Sequence, residues 1–143
     1  MKKFLLTLLL ITGSSYVFSQ NFEVPENYSL ETEEDFSKYQ QDVIDGINWL
    51  EKTPVNAISS KKDETIQFLL LWMIGSPDVH IEIKAEIVNF LNTSPDLLIF
   101  FLGGWTKYTL ETKDSSNKTA NSVAGINAVI DFYQKNKDFL TQR

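Results

Sequence analysis

Ser94-Pro95-Asp96-Leu97-Leu98-Ile99-Phe100-Phe101-Leu102-Gly103-Gly104-Trp105-Thr106-Lys107-Tyr108 is the stretch that decides the fold. Ser as N-cap, Pro at the first helical position and Asp at the second form a helix start with a physical reason at each place. The helix it opens runs through Leu102 to Trp105, Tyr108 and Leu110. Gly103-Gly104 inside it is matched downstream by Ala124-Gly125, and two such small-residue sites mark where two helices cross closely. The packing reading makes Trp105 and Tyr108 the cover of that crossing. The functional reading makes the same stretch a ligand groove or partner surface, with Trp105 as floor and Lys107 and Tyr108 at the rim.

The chain on either side is helical too. Thr32 caps a helix whose first turn carries Glu33, Glu34 and Asp35, acids facing the positive end of the dipole. Phe36, Tyr39, Val43, Ile47 and Leu50 make one apolar stripe that ends before Pro54, and Gly46 within it suggests a close backbone contact. A second helix from Ser60 is apolar almost all round from Ile66 to Ile74, with Gly75 as its C-cap, which predicts a buried central helix. Ser76-Pro77-Asp78 repeats the start signal, but Val79, Ile81 and Ile83 alternate with polar residues. That region reads as a short extended piece near 79–82, then a helix from Ile83 to Leu91. After a polar loop at 113–118, a last helix from Ala120 to Asn136 is expected to bury Val123, Ile126, Ile130 and Tyr133. The fold class is all-α, a compact bundle of about four to five helices.

Met1-Lys2-Lys3, the apolar run Phe4–Ile11, the break at Thr12–Ser15 and the small residues Val17 and Ser19 have the order of a cleaved secretory leader. The run is far shorter than the ~18 apolar residues that span a bilayer, so no stable membrane anchor is expected. The organisation predicted is a leader at 1–19, an extended arm at 20–30 and a single helical domain at 31–143. The expected destination is the periplasm or exterior of a bacterium. No cysteine is present, which excludes disulfides, thiolate metal sites and an acylated cysteine. Hydrophobic residues at 43%, with ten Phe, five Tyr and three Trp, exclude a disordered chain.

The net charge of −6 becomes −8 once Lys2 and Lys3 leave with the leader. Residues 21–51 hold nine acids against Lys38 alone, while 52–143 is neutral. Without a basic patch, nucleic acid and anionic membrane are poor partners. The acids exceed what capping needs, so Glu33, Glu34, Asp42 and Asp45 are candidates, with Trp105, Lys107 and Tyr108, for a surface that meets an unidentified protein or small ligand. Catalytic residues are thinly supplied. His80 is the only histidine, no two-histidine metal motif and no Gly-x-Ser-x-Gly elbow exist, and no metal or cofactor is expected. Glu82 and Glu86 with His80 are the one carboxylate–histidine grouping, and a solvated face explains them as well. Asn27, Asn92 and Asn117 match the N-glycosylation pattern, which carries no meaning in a bacterial protein.

Gly75-Ser76-Pro77-Asp78-Val79, Pro95-Asp96-Leu97-Leu98, Gly104-Trp105-Thr106-Lys107-Tyr108 and Ala128-Val129-Ile130-Asp131-Phe132-Tyr133 together resemble an uncharacterised family of small secreted helical proteins from Bacteroidota. The resemblance runs from about Tyr39 onward. It implies export and a helical fold, and it transfers no active-site residue. A looser likeness is to HdeA-type acid chaperones, whose cysteine pair this chain lacks. The expected function is a non-enzymatic binding or interaction module. The alternatives are a small envelope-stress chaperone, or a hydrolase or lyase built on carboxylates and His80.

Overall fold

The computed structural model describes residues 21–92 and 94–141, so the expected leader, its cleavage site and Gln20 lie outside the described residues. Five α-helices are present among them: α1 (Glu33–Lys38), α2 (Gln40–Lys52), α3 (Ser60–Gly75), α4 (Leu98–Thr112) and α5 (Lys118–Leu140). Two 3₁₀ turns, Asn89–Asn92 and Pro95–Leu97, precede α4, and no strand occurs in the described residues. The protein is an all-α bundle.

Thr32 opens α1 with a reciprocal cap. Its hydroxyl accepts from the Asp35 N–H at 3.2 Å, and the Asp35 carboxylate accepts from the Thr32 and Glu31 N–H groups at 3.0 and 3.1 Å. These bonds hold the Asp35 carboxyl below its ordinary range, the Glu31 N–H contributing most. The expected apolar stripe is buried at Phe36, Tyr39, Val43, Ile47 and Leu50, but it belongs to two helices rather than one. The chain breaks at Tyr39 (φ −98°, ψ 8°), and the reason is tertiary. In a continuous helix the Phe36 carbonyl would accept from Gln40; here it accepts from the Trp72 indole N–H at 3.0 Å. The break also sets the Tyr39 ring edge-on to Phe68, with centroids 6.3 Å apart.

The residues before α1 have no regular secondary structure, turn at Glu26–Asn27, where Asn27 has φ 51°, and pack onto the bundle. Phe22 is buried and covers Gly46, where an added Cβ would lie 3.1 Å from the Phe22 ring and 3.3 Å from Leu69. Tyr28 meets the Phe68 ring edge-on at 5.0 Å. The Lys61 ammonium clamps the segment from outside, donating to Asn21 at 2.7 Å and Glu23 at 2.6 Å.

Ser59 caps α3, which contributes Thr65, Phe68, Leu69, Trp72 and Met73 to the core. The helix is not buried all round as its composition suggests, since Leu71 and Ile74 are exposed. Gly75 is its last residue, and its role is close approach rather than a left-handed cap, because a Cβ there would sit 2.5 Å from the Phe36 ring. Ser76-Pro77-Asp78 ends this helix instead of starting another. The Asp78 N–H donates to the Ser76 hydroxyl, and Asp78 accepts from Gln40 at 2.9 Å, tying the bend to α2.

Residues 79–84 have no regular secondary structure, with Val79 inward and His80 outward. The helix expected at Ile83–Leu91 is absent. A turn at 85–87 and the first 3₁₀ turn take its place, as Val79 and Val88 are both drawn into the core from opposite ends of the segment. The second Ser-Pro-Asp does initiate helix, through one 3₁₀ turn with Pro95 at its start that leads directly into α4, but the Ser94 side chain makes no capping hydrogen bond.

Helices α4 and α5 form an antiparallel pair around the predicted small-residue crossing. A Cβ on Gly104 would lie 2.6 Å from the Ala128 Cβ and 2.7 Å from the Ala124 carbonyl oxygen; one on Gly125 would lie 2.7 Å from the Phe101 carbonyl oxygen. Further along, Phe100 stacks on Phe132 with centroids 3.6 Å apart. This crossing rotates α5 away from its expected orientation. The buried face is Asn121, Ser122, Gly125, Val129, Phe132 and Asn136, while Val123, Ile130 and Tyr133 are exposed. The backbones approach only where side chains are smallest, so Gly125 rather than the largest apolar residues chooses the inward side.

Candidate functional site

Trp105 is 1% exposed and packs against Phe101, so it belongs to the core and offers no open surface on the side of Lys107 and Tyr108. Lys107 reaches α2, donating to Asn48 at 3.1 Å and to Glu51 at 2.9 Å. It cross-links two helices and is not a free rim cation. Tyr108 and Lys107 border a cleft of about 280 Å³ with Glu111, Asp131 and Lys135, above the Gly104–Ala128 contact.

Glu33 and Glu34 are exposed on α1, as is Asp45 on α2, where it accepts from Gln41 at 3.0 Å. Asp42 is half-buried; burial pushes its carboxyl up, and the Asp45 charge adds to the shift. None of these four acids lines the cleft of Lys107 or the cavity beside Trp105. The seven candidates therefore do not form one surface. Of the carboxylate–histidine grouping, only Glu82 borders the cavity beside Trp105, while His80 and Glu86 are exposed elsewhere on the chain. Among the described residues no group of three or more His, Cys, Asp or Glu side chains is placed to hold a metal ion, and no helix is long and apolar enough to cross a membrane.

A largely apolar concavity lies elsewhere, between the α2–α3 connection, α3 and the start of α4. Pro54 stops α2, and the chain turns back along Val55, Ala57 and Ile58. That wall is held by two distant side chains. The Lys62 ammonium donates to the carbonyls of Val55 at 2.9 Å, Ala57 at 3.3 Å and Pro54 at 3.5 Å. Asn136 of α5 accepts from the Val55 N–H at 2.9 Å while donating to the Phe132 carbonyl. The stacked Phe100 and Phe132 line the groove, Ile66 and Leu70 border it on the α3 side, and its volume is about 450 Å³. Its polar lining residues are Lys62, Asp63 and Asp96.

Ile58 lines this groove and is 97% exposed. Ile66, Leu70 and Ile74 follow one another at steps of four, so they share one side of α3, and Ile74 is 82% exposed. The apolar track thus runs on past the groove, roughly 12 Å along the helix from Ile66 to Ile74 at about 1.5 Å per residue. Sequence reading missed Ile58 and the outward side of α3. The available signal was an isoleucine in the connection Thr53–Ser59, where no helix exists to bury it. No protein-family model, no curated protein and no solved structure matches the chain.

Proposed function

We propose that this protein is an exported, non-enzymatic interaction module whose groove receives the apolar side chains of a basic polypeptide segment. The carrying observation is the continuous apolar track from Ile58 through the Phe100–Phe132 groove to Ile74. Exposed isoleucines at both ends of a concave apolar surface suit a partner that lies along α3 better than a compact molecule that fills one hole. Charge supports a basic segment, because Asp63 lies at the groove and the whole chain carries −6. Export rests on the basic, apolar and small-residue order of Met1–Ser19.

The test uses a fluorescent amphipathic peptide of leucine and lysine, its leucine–glutamate counterpart, and anisotropy at about 150 mM salt to screen distant charges. The lysine peptide should bind and the glutamate peptide should not. Ile74→Lys, at a position whose exposure makes the change tolerable to the fold, should weaken binding about tenfold, the equivalent of ~1.4 kcal/mol, at unchanged melting temperature. Equal binding by wild type and Ile74→Lys would overturn the reading. For export, N-terminal sequencing of the secreted protein should give Gln20 or Asn21, and an intact Met1 would contradict it.

A further inference from the structure

The cavity beside Trp105, of about 250 Å³, opens where α5 begins. Its lining divides into two ends. Toward the start of α5 lie Lys118, Thr119 and Ser122; farther along the same helix come Val123 and Ile126, with Ile87 from the turn at 85–87. Trp105 of α4 also lines it, and Lys84 and Glu82 complete the border.

Two polar atoms here have no partner among the described residues. The Trp105 indole Nε1 and the Ser122 Oγ are buried without a hydrogen bond, in side chains of residues 1% and 7% exposed. Trp72, the other fully buried tryptophan, satisfies its indole N–H on the Phe36 carbonyl, so Trp105 departs from the solution this same core uses. A buried donor without an acceptor is costly unless something bound supplies one.

The start of α5 adds positive potential. In its first turn the Lys118, Ala120 and Asn121 N–H groups donate to Ser116, the Asn117 side chain and the Asn117 carbonyl. The Thr119 N–H has no acceptor among the described residues, and Thr119 borders the cavity. A helix start with an open N–H favours an anion. Lys118 is paired with Glu82, which offsets part of its charge, while Lys84 has no ion-pair partner among the described residues. The local sum is still positive, in a protein that is acidic overall.

We infer that this cavity is a binding site for a small apolar monocarboxylate. The carboxylate sits at the start of α5, where the Trp105 N–H, the Ser122 hydroxyl and the Lys84 ammonium are the donors. The aliphatic or aromatic body lies against Ile87, Val123 and Ile126. The size fits, because about 250 Å³ is below the range of pockets that hold drug-sized molecules. The site is separate from the groove at Ile58 and does not depend on it.

The test is titration with hexanoate, hexan-1-ol and hexylamine, followed by two-dimensional ¹H–¹⁵N NMR of the tryptophan indole N–H signals, with Trp49→Phe removing one for assignment. Hexanoate should move the Trp105 indole signal saturably, while hexylamine leaves it in place and hexan-1-ol binds more weakly. Lys84→Gln, an exposed change that leaves the fold intact, should weaken hexanoate about fivefold, the scale of one exposed ion pair. Ser122→Ala should weaken it as well, with the indole signal reporting that the site is still folded. A flat titration, an equal response to hexanoate and hexan-1-ol, or wild-type affinity in Lys84→Gln would each overturn the assignment and leave the cavity to water.

Discussion

Gly104→Ala is the most direct probe of this architecture, because its sign depends on one helix crossing. The new methyl would lie 2.6 Å from the Ala128 Cβ, 2.7 Å from the Ala124 carbonyl oxygen and 3.0 Å from the Gly125 Cα. Two of those atoms are backbone, and the third is a methyl fixed directly to it. No rotamer change can move them aside, so α4 and α5 must part by most of an ångström. Overpacking of this kind costs ~1–3 kcal/mol, and the rigidity of the neighbours places this case at the upper end. Alanine returns up to ~1 kcal/mol as the better helix former, leaving a net loss of about 2 kcal/mol. For a domain of this size that lowers the melting temperature by roughly 6–10 °C. Gly103→Ala is the internal control, since its methyl meets only the Ile47 side chain, at 3.2 Å, and the propensity gain offsets that contact to within about 0.5 kcal/mol. Urea and thermal melts followed by far-ultraviolet circular dichroism give both numbers. A neutral or stabilising Gly104→Ala, or equal effects at the two glycines, would refute the crossing.

Trp72→Ala should cost ~3–5 kcal/mol, because it removes a fully buried indole and strips the Phe36 carbonyl of its donor, whereas Asp45→Asn on exposed α2 surface should stay within about 0.5 kcal/mol; equal urea midpoints would contradict this map of the core. The Asp35 carboxyl is held low in the folded state, so its contribution is fully present above the unfolded aspartate value near 3.9 and is lost as pH falls through the folded value. Asp35→Ala should therefore destabilise the protein at neutral pH and flatten the acid limb of its stability profile. Wild type and variant should converge at low pH, and a constant gap between them would rule out the charged cap.

Much of the fold was legible because it rests on local chemistry. Thr32 and Asp35 cap α1 through neighbours within four residues, and Pro95 begins the turn that leads into α4, so no distant partner is needed to read either. Ser76-Pro77-Asp78 shows the limit of such reading. The same three residue types close a helix there, since Asp78 is held by Gln40 on α2. The candidate site was legible only in fragments. Trp105 does border a cavity, but the charged residues around it are Lys84, Lys118 and Glu82 rather than Lys107, which turns to Glu51 on α2.

By itself, then, the sequence determined the all-α class, the cap at Thr32, the helix-breaking at Pro54 and the helix start at Pro95, and the pair of sites where helices touch. A glycine inside an apolar helix has no side chain to hold a neighbour away, and that property travels with the residue. Only the tertiary structure decided the break at Tyr39, the irregular course of 79–92, the inward face of α5 and the groove beside Ile58. Distant groups supply the deciding contacts. Trp72 claims the Phe36 carbonyl, Asn136 holds the Val55 N–H of the α2–α3 connection, and the Gly104–Gly125 contact turns Val123, Ile130 and Tyr133 outward. An apolar stripe specifies that a helix has two sides; which side is buried is settled by how closely two backbones can approach.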